Sequence, residues 1–379
     1  MIRRSVWHGM SVVSIALLVA CAATAAGASA TAPAAVREPA AAAPGWRIVK
    51  VLPNAAFDGL TALGPRDAWL GGAGCANAAC DRGNVIVRHW DGSAWRVVTP
   101  PKAFLDNALV QNAGPVVATS PSNAWVFADL ANVDTDSFYT QALHWTAKGW
   151  AAPVRLNSWV NAAVALSPAN IWAFGGDGSV GHFNGTTWSR GSLPIGGTVA
   201  SATSASDMWA AGLSPAGTPA IEHWNGHGWR AIPVPNLGIR VTGPLNLPSF
   251  QGIAAITPRN AWADISVLGD VGKTYLLHWN GGKWVRVAFP FAGSANTNVV
   301  SDGHGGIWLS IDAGPAPRTS LWMCHYSGGH WTKTFVPRYA GQQPTVDYLA
   351  WIPGTRSVWG TGGLIVRQTG GEGVLKYGA

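Results

Sequence analysis

Histidine is the residue type that most readily does acid–base or metal chemistry near neutral pH, and six of the ten histidines share one recurring position. Each of these six is followed by an aromatic residue, a short turn and a tryptophan, as in HWDGSAW at 89–95. The six are His89, His144, His182, His223, His278 and His325. A catalytic or metal site needs different groups that converge on one point, whereas a recurring position gives equivalent copies. We therefore expect these histidines to make hydrogen bonds that stabilise a repeated structure, and we expect no metal site.

Carboxylates could hydrolyse a glycosidic bond if two of them lay about 5–10 Å apart. The sequence has only three glutamates: Glu38 in the linker, Glu222 in a repeated strand and Glu372 in the last long loop. Motifs of lipases, P-loop proteins and zinc peptidases are absent. Six aspartates are available in segments that vary between repeats: Asp106, Asp134, Asp136, Asp264, Asp270 and Asp347. Convergence of two of them, with a raised pKa, would indicate a hydrolase or lyase, and scattered positions would exclude it.

Residues 132–137 (NVDTDS) resemble the start of a calcium-binding loop. The segment lacks the glycine and the glutamate that such a loop carries further along. We therefore expect no cofactor, with Ca²⁺ as a weak alternative.

The N-terminus predicts export. Arg3 and Arg4 precede an apolar run at 10–20, which is too short to cross a bilayer and typical of a signal peptide. Cleavage after Ala30 and lipidation of Cys21 in the sequence LVAC are competing predictions. They give a signal peptide at 1–30, or at 1–20 if Cys21 is lipidated, and an Ala/Pro-rich linker at 31–45. The protein would then be secreted or anchored by a lipid at the outer face of a membrane.

The remaining cysteines are consistent with an oxidising compartment. Cys75 and Cys80 lie close together in a glycine-rich loop, where a disulfide would close a small ring. Cys324 lies in an apolar strand pattern and is expected to be a buried free thiol.

The positions of the 22 tryptophans reveal the repeated elements on which the histidines lie. A small or acidic residue, an apolar residue and a tryptophan recur seven times, ending at Trp69, Trp125, Trp172, Trp209, Trp262, Trp308 and Trp359. Each copy is followed by the histidine motif, but the seventh histidine motif is split. Its first half ends the chain (KYGA, 376–379) and its second half follows the linker (GWRIVKVLP, 45–53). Such a split lets the first strand complete the last repeat and close a ring.

Each repeat contains four short alternating segments separated by turn signals, such as 162–167, 171–175, 180–183 and 188–193 in the third repeat. The sequence therefore predicts an all-β fold, a seven-bladed β-propeller with four-stranded blades over residues 46–379. The pattern resembles the Trp-rich repeat propellers of secreted proteins from high-GC Gram-positive bacteria, and more distantly the kelch and WD-type rings. This resemblance implies the architecture and leaves the function open.

The segments that vary between repeats join blades, or join the second and third strands, and we expect both kinds at one entrance face. Loops of this kind carry function more often than a repeated scaffold does. The candidate ligand-binding residues are Phe104, Asp134, Asp136, Tyr139, Trp159, Phe250 and Tyr339.

The net charge of +7 comes from scattered basic residues, which argues against nucleic acid and fits an anionic cell envelope. We expect a monomeric, non-catalytic binding propeller outside the cytoplasm that recognises a glycan, a peptide or an envelope protein. The alternative is a carbohydrate-active hydrolase or lyase.

Overall fold

Seven antiparallel sheets form a ring in the computed structural model, as the repeats predict. The structure describes residues 45–75, 83–105, 108–132, 135, 137–239, 247–267, 272–295, 297–313, 320–341, 343–366 and 369–378. Each sheet is one blade, and in six of the seven blades the strands run from an inner strand to an outermost strand in chain order. Within these ranges, no helix is both long and apolar enough to span a bilayer.

Four blades have four consecutive strands each. Blade 1 consists of β2 (Ala55–Gly64), β3 (Asp67–Cys75), β4 (Gly83–Trp90) and β5 (Trp95–Val97). Blade 3 consists of β11 (Val160–Ser167), β12 (Asn170–Gly175), β13 (Ser179–Phe183) and β14 (Trp188–Ser192). Blade 4 consists of β15 (Gly196–Ser204), β16 (Asp207–Leu213), β17 (Pro219–Trp224) and β18 (Trp229–Ile232). Blade 5 consists of β19 (Pro248–Thr257), β20 (Asn260–Val267), β21 (Lys273–Trp279) and β22 (Trp284–Val287).

Blades 2 and 6 each have one strand in two pieces. Blade 2 consists of β6 (Leu109–Ser120), β7 (Asn123–Asn132), β8 (Ser137–Thr146) and a divided outermost strand, β9 (Gly149–Trp150) and β10 (Val154–Leu156). Blade 6 has a divided inner strand, β23 (Ser294–Ala295) and β24 (Val300–Ser301), followed by β25 (Ile307–Ala313), β26 (Ser320–Ser327) and β27 (His330–Phe335).

Blade 7 confirms that the ring is closed by the N-terminal strand. Its first three strands are β28 (Tyr348–Trp351), β29 (Val358–Val366) and β30 (Thr369–Tyr377), and its outermost strand is β1 (Trp46–Pro53). β1 pairs antiparallel with β30, with Trp46 opposite Tyr377. The two ends of the chain therefore meet in one sheet.

The seven repeated tryptophans form the contacts between blades. Each lies on the second strand of its blade and is at most 8% exposed. Trp125 of blade 2 packs on Phe183 and Trp188 of blade 3, with ring centroids 5.0 and 5.5 Å away. Trp359 of blade 7 packs in the same way on the tryptophans of blade 1. At all seven interfaces the repeated tryptophan packs on an aromatic ring of the next blade, which explains why most tryptophans recur at fixed positions.

The inner strands carry a second repeated feature, a register irregularity near the entrance face. In blades 1, 3 and 5 it falls at Asp58, Asn161 and Gln251. Adjacent inner strands come very close there, since a Cβ on Gly252 would lie 2.6 Å from the backbone nitrogen of Val299 in the next blade. A bulge leaves backbone N–H groups without a partner in their own sheet, and these groups need acceptors from elsewhere.

Candidate functional site

The six repeated histidines belong to the scaffold. Each ring stacks on the repeated tryptophan of its own blade, and each Nε2 lies within 3.0 Å of an Asp or Asn side chain. His144, for example, lies 4.0 Å from Trp125 between ring centroids and 3.0 Å from Asn123. Burial lowers the pKa of His144 to about 4, so it is neutral under ordinary conditions. The expected hydrogen-bonding role is confirmed. Among the described residues, no group of three or more His, Cys, Asp or Glu side chains could hold a metal ion.

Two inward-facing carboxylates accept hydrogen bonds from backbone groups of a neighbouring blade. Asp58 of blade 1 accepts a hydrogen bond from the N–H of Ala113 in blade 2 at 3.0 Å. Asp129 of blade 2 accepts one from the N–H of Val160 in blade 3 at 3.4 Å and another from the Thr140 hydroxyl. Asp264 of blade 5 is fully buried. Asp58 and Asp129 thus supply acceptors that the bulged inner strands require, whereas neither side-chain oxygen of Asp264 has a hydrogen-bond partner among the described residues.

Burial shifts the pKa values of these groups upward. It raises the pKa of Asp58 to about 7, with a contribution from the charge of Asp347, and that of Asp129 to about 7. It also raises the pKa of Glu372 well above its usual value, again with contributions from Asp347 and Asp58. Asp58, Asp347 and Glu372 therefore form a carboxylate cluster where blades 7 and 1 meet. Of the six aspartates expected to be available for catalysis, only Asp347 belongs to this cluster. Asp264 lies in blade 5, and Asp106, Asp134, Asp136 and Asp270 lie outside the described residues.

Glu372 corrects an expectation about its position. The sequence places it in a loop, but it lies within β30 and accepts a hydrogen bond from the Thr361 hydroxyl at 2.9 Å. The glycines around it, TGGEG, carry a loop signal, and pairing with β29 and β1 outweighs it.

The aromatic candidate ligand-binding residues do not all lie at the surface. Tyr139 and Phe250 are each 1% exposed and belong to the cores between blades. Arg155 covers the ring of Tyr139 at 3.7 Å. Neither ring has a free face for a ligand, so both residues are removed from the candidate site. Phe104 and Tyr339 are half-buried in different blade-joining segments, and Phe104 packs against the core of blades 1 and 2.

Trp159 forms an aromatic pair that the sequence did not reveal. It directly precedes β11, and its ring lies edge-to-face against Phe138 with centroids 5.4 Å apart. Phe138, at the start of β8, is 55% exposed. A single exposed ring is ordinary on a protein surface, so the interest of Phe138 lies in its contact with Trp159 and the groove that follows in the chain. The signal for Phe138 was the strand alternation itself, because the neighbouring Tyr139 points into the core and Phe138 must point out.

A groove between blades 2 and 3 lies at the entrance face, lined by the chain neighbours of Trp159 but not by Trp159 or Phe138. It has a volume of about 130 Å³, and Ser158 and Val160, on either side of Trp159, both line it. Its polar side chains include Asp177, Ser179 and Arg190. The hydroxyls of Ser158 and Ser179 lie 2.6 Å apart, and Asp177 accepts a hydrogen bond from the N–H of Ser179. The groove offers hydrogen-bond donors and acceptors, and the described residues that line it include no histidine, lysine or cysteine.

Several predicted residues cannot be placed. Cys21, Cys80, Asp134 and Asp136 lie outside the described residues. Cys75 ends β3, but the disulfide predicted for it involves Cys80 and so falls outside them as well. Cys324 is a buried free thiol, and burial raises its pKa to about 12.

By sequence, no family model and no curated protein matches this chain. By structure, it is similar to many propellers. YCF48 from Cyanidioschyzon merolae matches with a TM-score of 0.58 and 14% identity, over 88% of this chain and 98% of that one. YCF48 bound to D1 peptide matches with a TM-score of 0.55 and 12% identity, over 88% of this chain and 96% of that one. The GH74 xyloglucanase from Xanthomonas campestris matches with 0.58 and 11%, over 86% of this chain and 55% of the enzyme. At these identities the similarity establishes the fold alone.

Proposed function

We propose that the protein is a non-catalytic binding propeller that recognises a glycan chain at its entrance face. The observation that carries this proposal is the contact of the exposed Phe138 with the half-buried Trp159, next in the chain to the groove between blades 2 and 3. Many of the other aromatic rings fill contacts between blades, and the exposed Phe335 packs on Trp322 within blade 6. This pair and groove combine an exposed ring with polar side chains that the scaffold does not need.

The chemistry of the groove suits a sugar polymer. A sugar ring presents a face of C–H groups that packs on an aromatic ring and an edge of hydroxyls that both donate and accept hydrogen bonds. Phe138 and Trp159 would contact the C–H face. The carboxylate of Asp177, the guanidinium of Arg190 and the two serine hydroxyls would contact the edge.

The test is binding of the mature protein to a glycan array and a peptide array, followed by titration with the best ligand. Trp159→Ala and Phe138→Ala should each weaken glycan binding at least tenfold. Phe335→Ala is a matched control, because Phe335 is 56% exposed but lies on blade 6, and it should leave binding unchanged. Equal loss in all three variants, or unchanged binding in the first two, would remove the proposed site. Selective binding of peptides would replace the glycan with the kind of ligand bound in the YCF48–D1 complex.

The carboxylate cluster of Asp58, Asp347 and Glu372 supports a second candidate, a carbohydrate-active hydrolase or lyase. The raised pKa values of Asp58 and Glu372 are the property that a general acid requires. Polysaccharide cleavage that disappears in Asp58→Asn and persists in Asp91→Asn would support this candidate. Absence of cleavage across a polysaccharide panel would leave the cluster with its role in holding blades 7, 1 and 2.

The binding role is proposed to operate outside the cytoplasm, as a secreted or lipid-anchored protein of the Trp-rich propeller type. Mass spectrometry of the mature N-terminus separates lipidation of Cys21 from cleavage after Ala30. The same spectrum under non-reducing conditions tests the Cys75–Cys80 disulfide through a mass lower by two hydrogens.

A further inference from the structure

The surface is far more cationic than the net charge of the sequence suggests. Among the described residues, only two acidic side chains are exposed, Asp91 and Asp177, because the others are buried or half-buried in the ring. Sixteen basic side chains are exposed: Arg47, Lys50, Arg66, Arg96, Lys102, Lys148, Arg155, Arg190, Arg230, Arg259, Lys273, Lys283, Arg286, Lys333, Arg338 and Arg356. The fold thus separates the two signs of charge, with acids inside and bases outside.

Half of these cations lie on the outermost strands. Every blade has at least one exposed Lys or Arg on its outermost strand, and no acidic residue lies on any of these strands. We call this set the cation belt, and it consists of Arg47, Lys50, Arg96, Arg155, Arg190, Arg230, Arg286 and Lys333. The belt runs around the side wall of the propeller, and one of its members, Arg190, also lines the groove between blades 2 and 3 at the entrance face.

Few belt residues are neutralised by contacts within the protein. Arg96 forms an ion pair with Asp91 at 2.6 Å. Arg155, Arg286 and Lys333 lie over aromatic rings, which orient their side chains without cancelling their charge. The charge of the wall is therefore available to an external anion.

We propose that the side wall binds a linear polyanion, a polymer with repeated phosphate or carboxylate groups. The distribution of the cations favours this partner over others. A flat bilayer or a globular acidic protein can contact only a sector of a cylindrical wall, whereas a flexible chain can follow the belt from blade to blade. Release of counterions from such a polymer supplies the driving force, so binding weakens steeply as salt is raised.

The test measures binding of the full protein to long-chain inorganic polyphosphate and to polygalacturonate over a range of NaCl concentrations. The belt variant is K50Q/R230Q/R286Q/K333Q, which avoids the groove between blades 2 and 3. The matched control is R66Q/K148Q/R259Q/R356Q, which removes the same charge from turns at the face opposite the entrance. A charge-retaining belt variant, K50R/R230K/R286K/K333R, reports on folding and packing.

The belt variant should bind at least tenfold more weakly, and its slope of log affinity against log salt should be shallower by about three to four. The turn variant should retain affinity within about twofold to threefold, apart from the general effect of net charge, and the charge-retaining variant should match the original protein. Equal losses in the belt and turn variants would overturn the proposal. So would preferential binding to phosphatidylglycerol vesicles. Aggregation of the belt variant without any polyanion binding by the original protein would also overturn it, and would instead assign the cations to protection of exposed strand edges.

Discussion

At the scale of single residues, the bulges of the inner strands explain why carboxylates are buried beside them. Asp129 is 1% exposed, yet it is retained because the N–H of Val160 and the hydroxyl of Thr140 need an acceptor. Burial raises its pKa to about 7, above the value near 3.8 that applies in the unfolded chain. The folded state therefore binds the proton more tightly, and the contribution of Asp129 to stability falls as the pH rises from about 4 through 7.

Asp129→Asn removes this titration and keeps an acceptor oxygen. We expect the variant and the original protein to have similar stabilities near pH 4, and the variant to be more stable at pH 8 by on the order of 3 kcal/mol. Urea unfolding between pH 4 and 8 measures the difference. Asp91→Asn is the control, because hydrogen bonds from Ser93 and Arg96 hold the pKa of Asp91 below its usual range. The difference in free energy of unfolding between Asp91→Asn and the original protein should be constant between pH 5 and 8. A constant difference for Asp129→Asn as well would contradict the pKa shift.

At the scale of strands, β1 has the largest consequence for the ring, because it joins the two ends of the chain. Trp46 is 6% exposed and packs on Trp308 and Tyr377 with centroids 5.8 and 5.5 Å away. Trp46→Ala should destabilise the protein by about 3–5 kcal/mol, and amide hydrogen exchange should accelerate first in β30. Trp95→Ala alters the equivalent strand of blade 1. In that variant, amide hydrogen exchange should accelerate first in β4 instead. The same exchange pattern in both variants would show that β1 has no special role in closure.

The strands also show what could be read from the sequence. In the third repeat the predicted segments differ from β11–β14 by at most two residues at each end, because turn residues and the repeated tryptophan both mark the boundaries. The divided strands β9/β10 and β23/β24 were not predicted, since their interruptions depend on how blades meet. Prediction of the candidate site from the sequence is limited in the same way by contacts between blades. Trp159 could be proposed from its place outside the repeat, but Phe138 and the cluster around Asp58 depend on contacts between blades that sequence spacing does not report.

At the scale of the whole molecule, the separation of charge makes the free protein self-repulsive. Exposed cations outnumber exposed acids among the described residues, and six of the acids are buried where salt does not reach them. Repulsion between exposed charges is screened over about 8–10 Å at physiological salt. Moderate salt should therefore stabilise the folded ring, although salt weakens ordinary surface ion pairs.

Raising NaCl from about 10 to 150 mM is expected to raise the unfolding temperature by about 1–3 °C. The K50Q/R230Q/R286Q/K333Q variant carries less positive charge, so its unfolding temperature should start higher at low salt and respond less to NaCl. Calorimetry over a salt series measures both values, and sucrose at matched osmolality controls for effects that do not involve charge. A fall in unfolding temperature with salt would mean that surface ion pairs outweigh the repulsion. In that case the excess of exposed cations would not govern the electrostatics of the free protein.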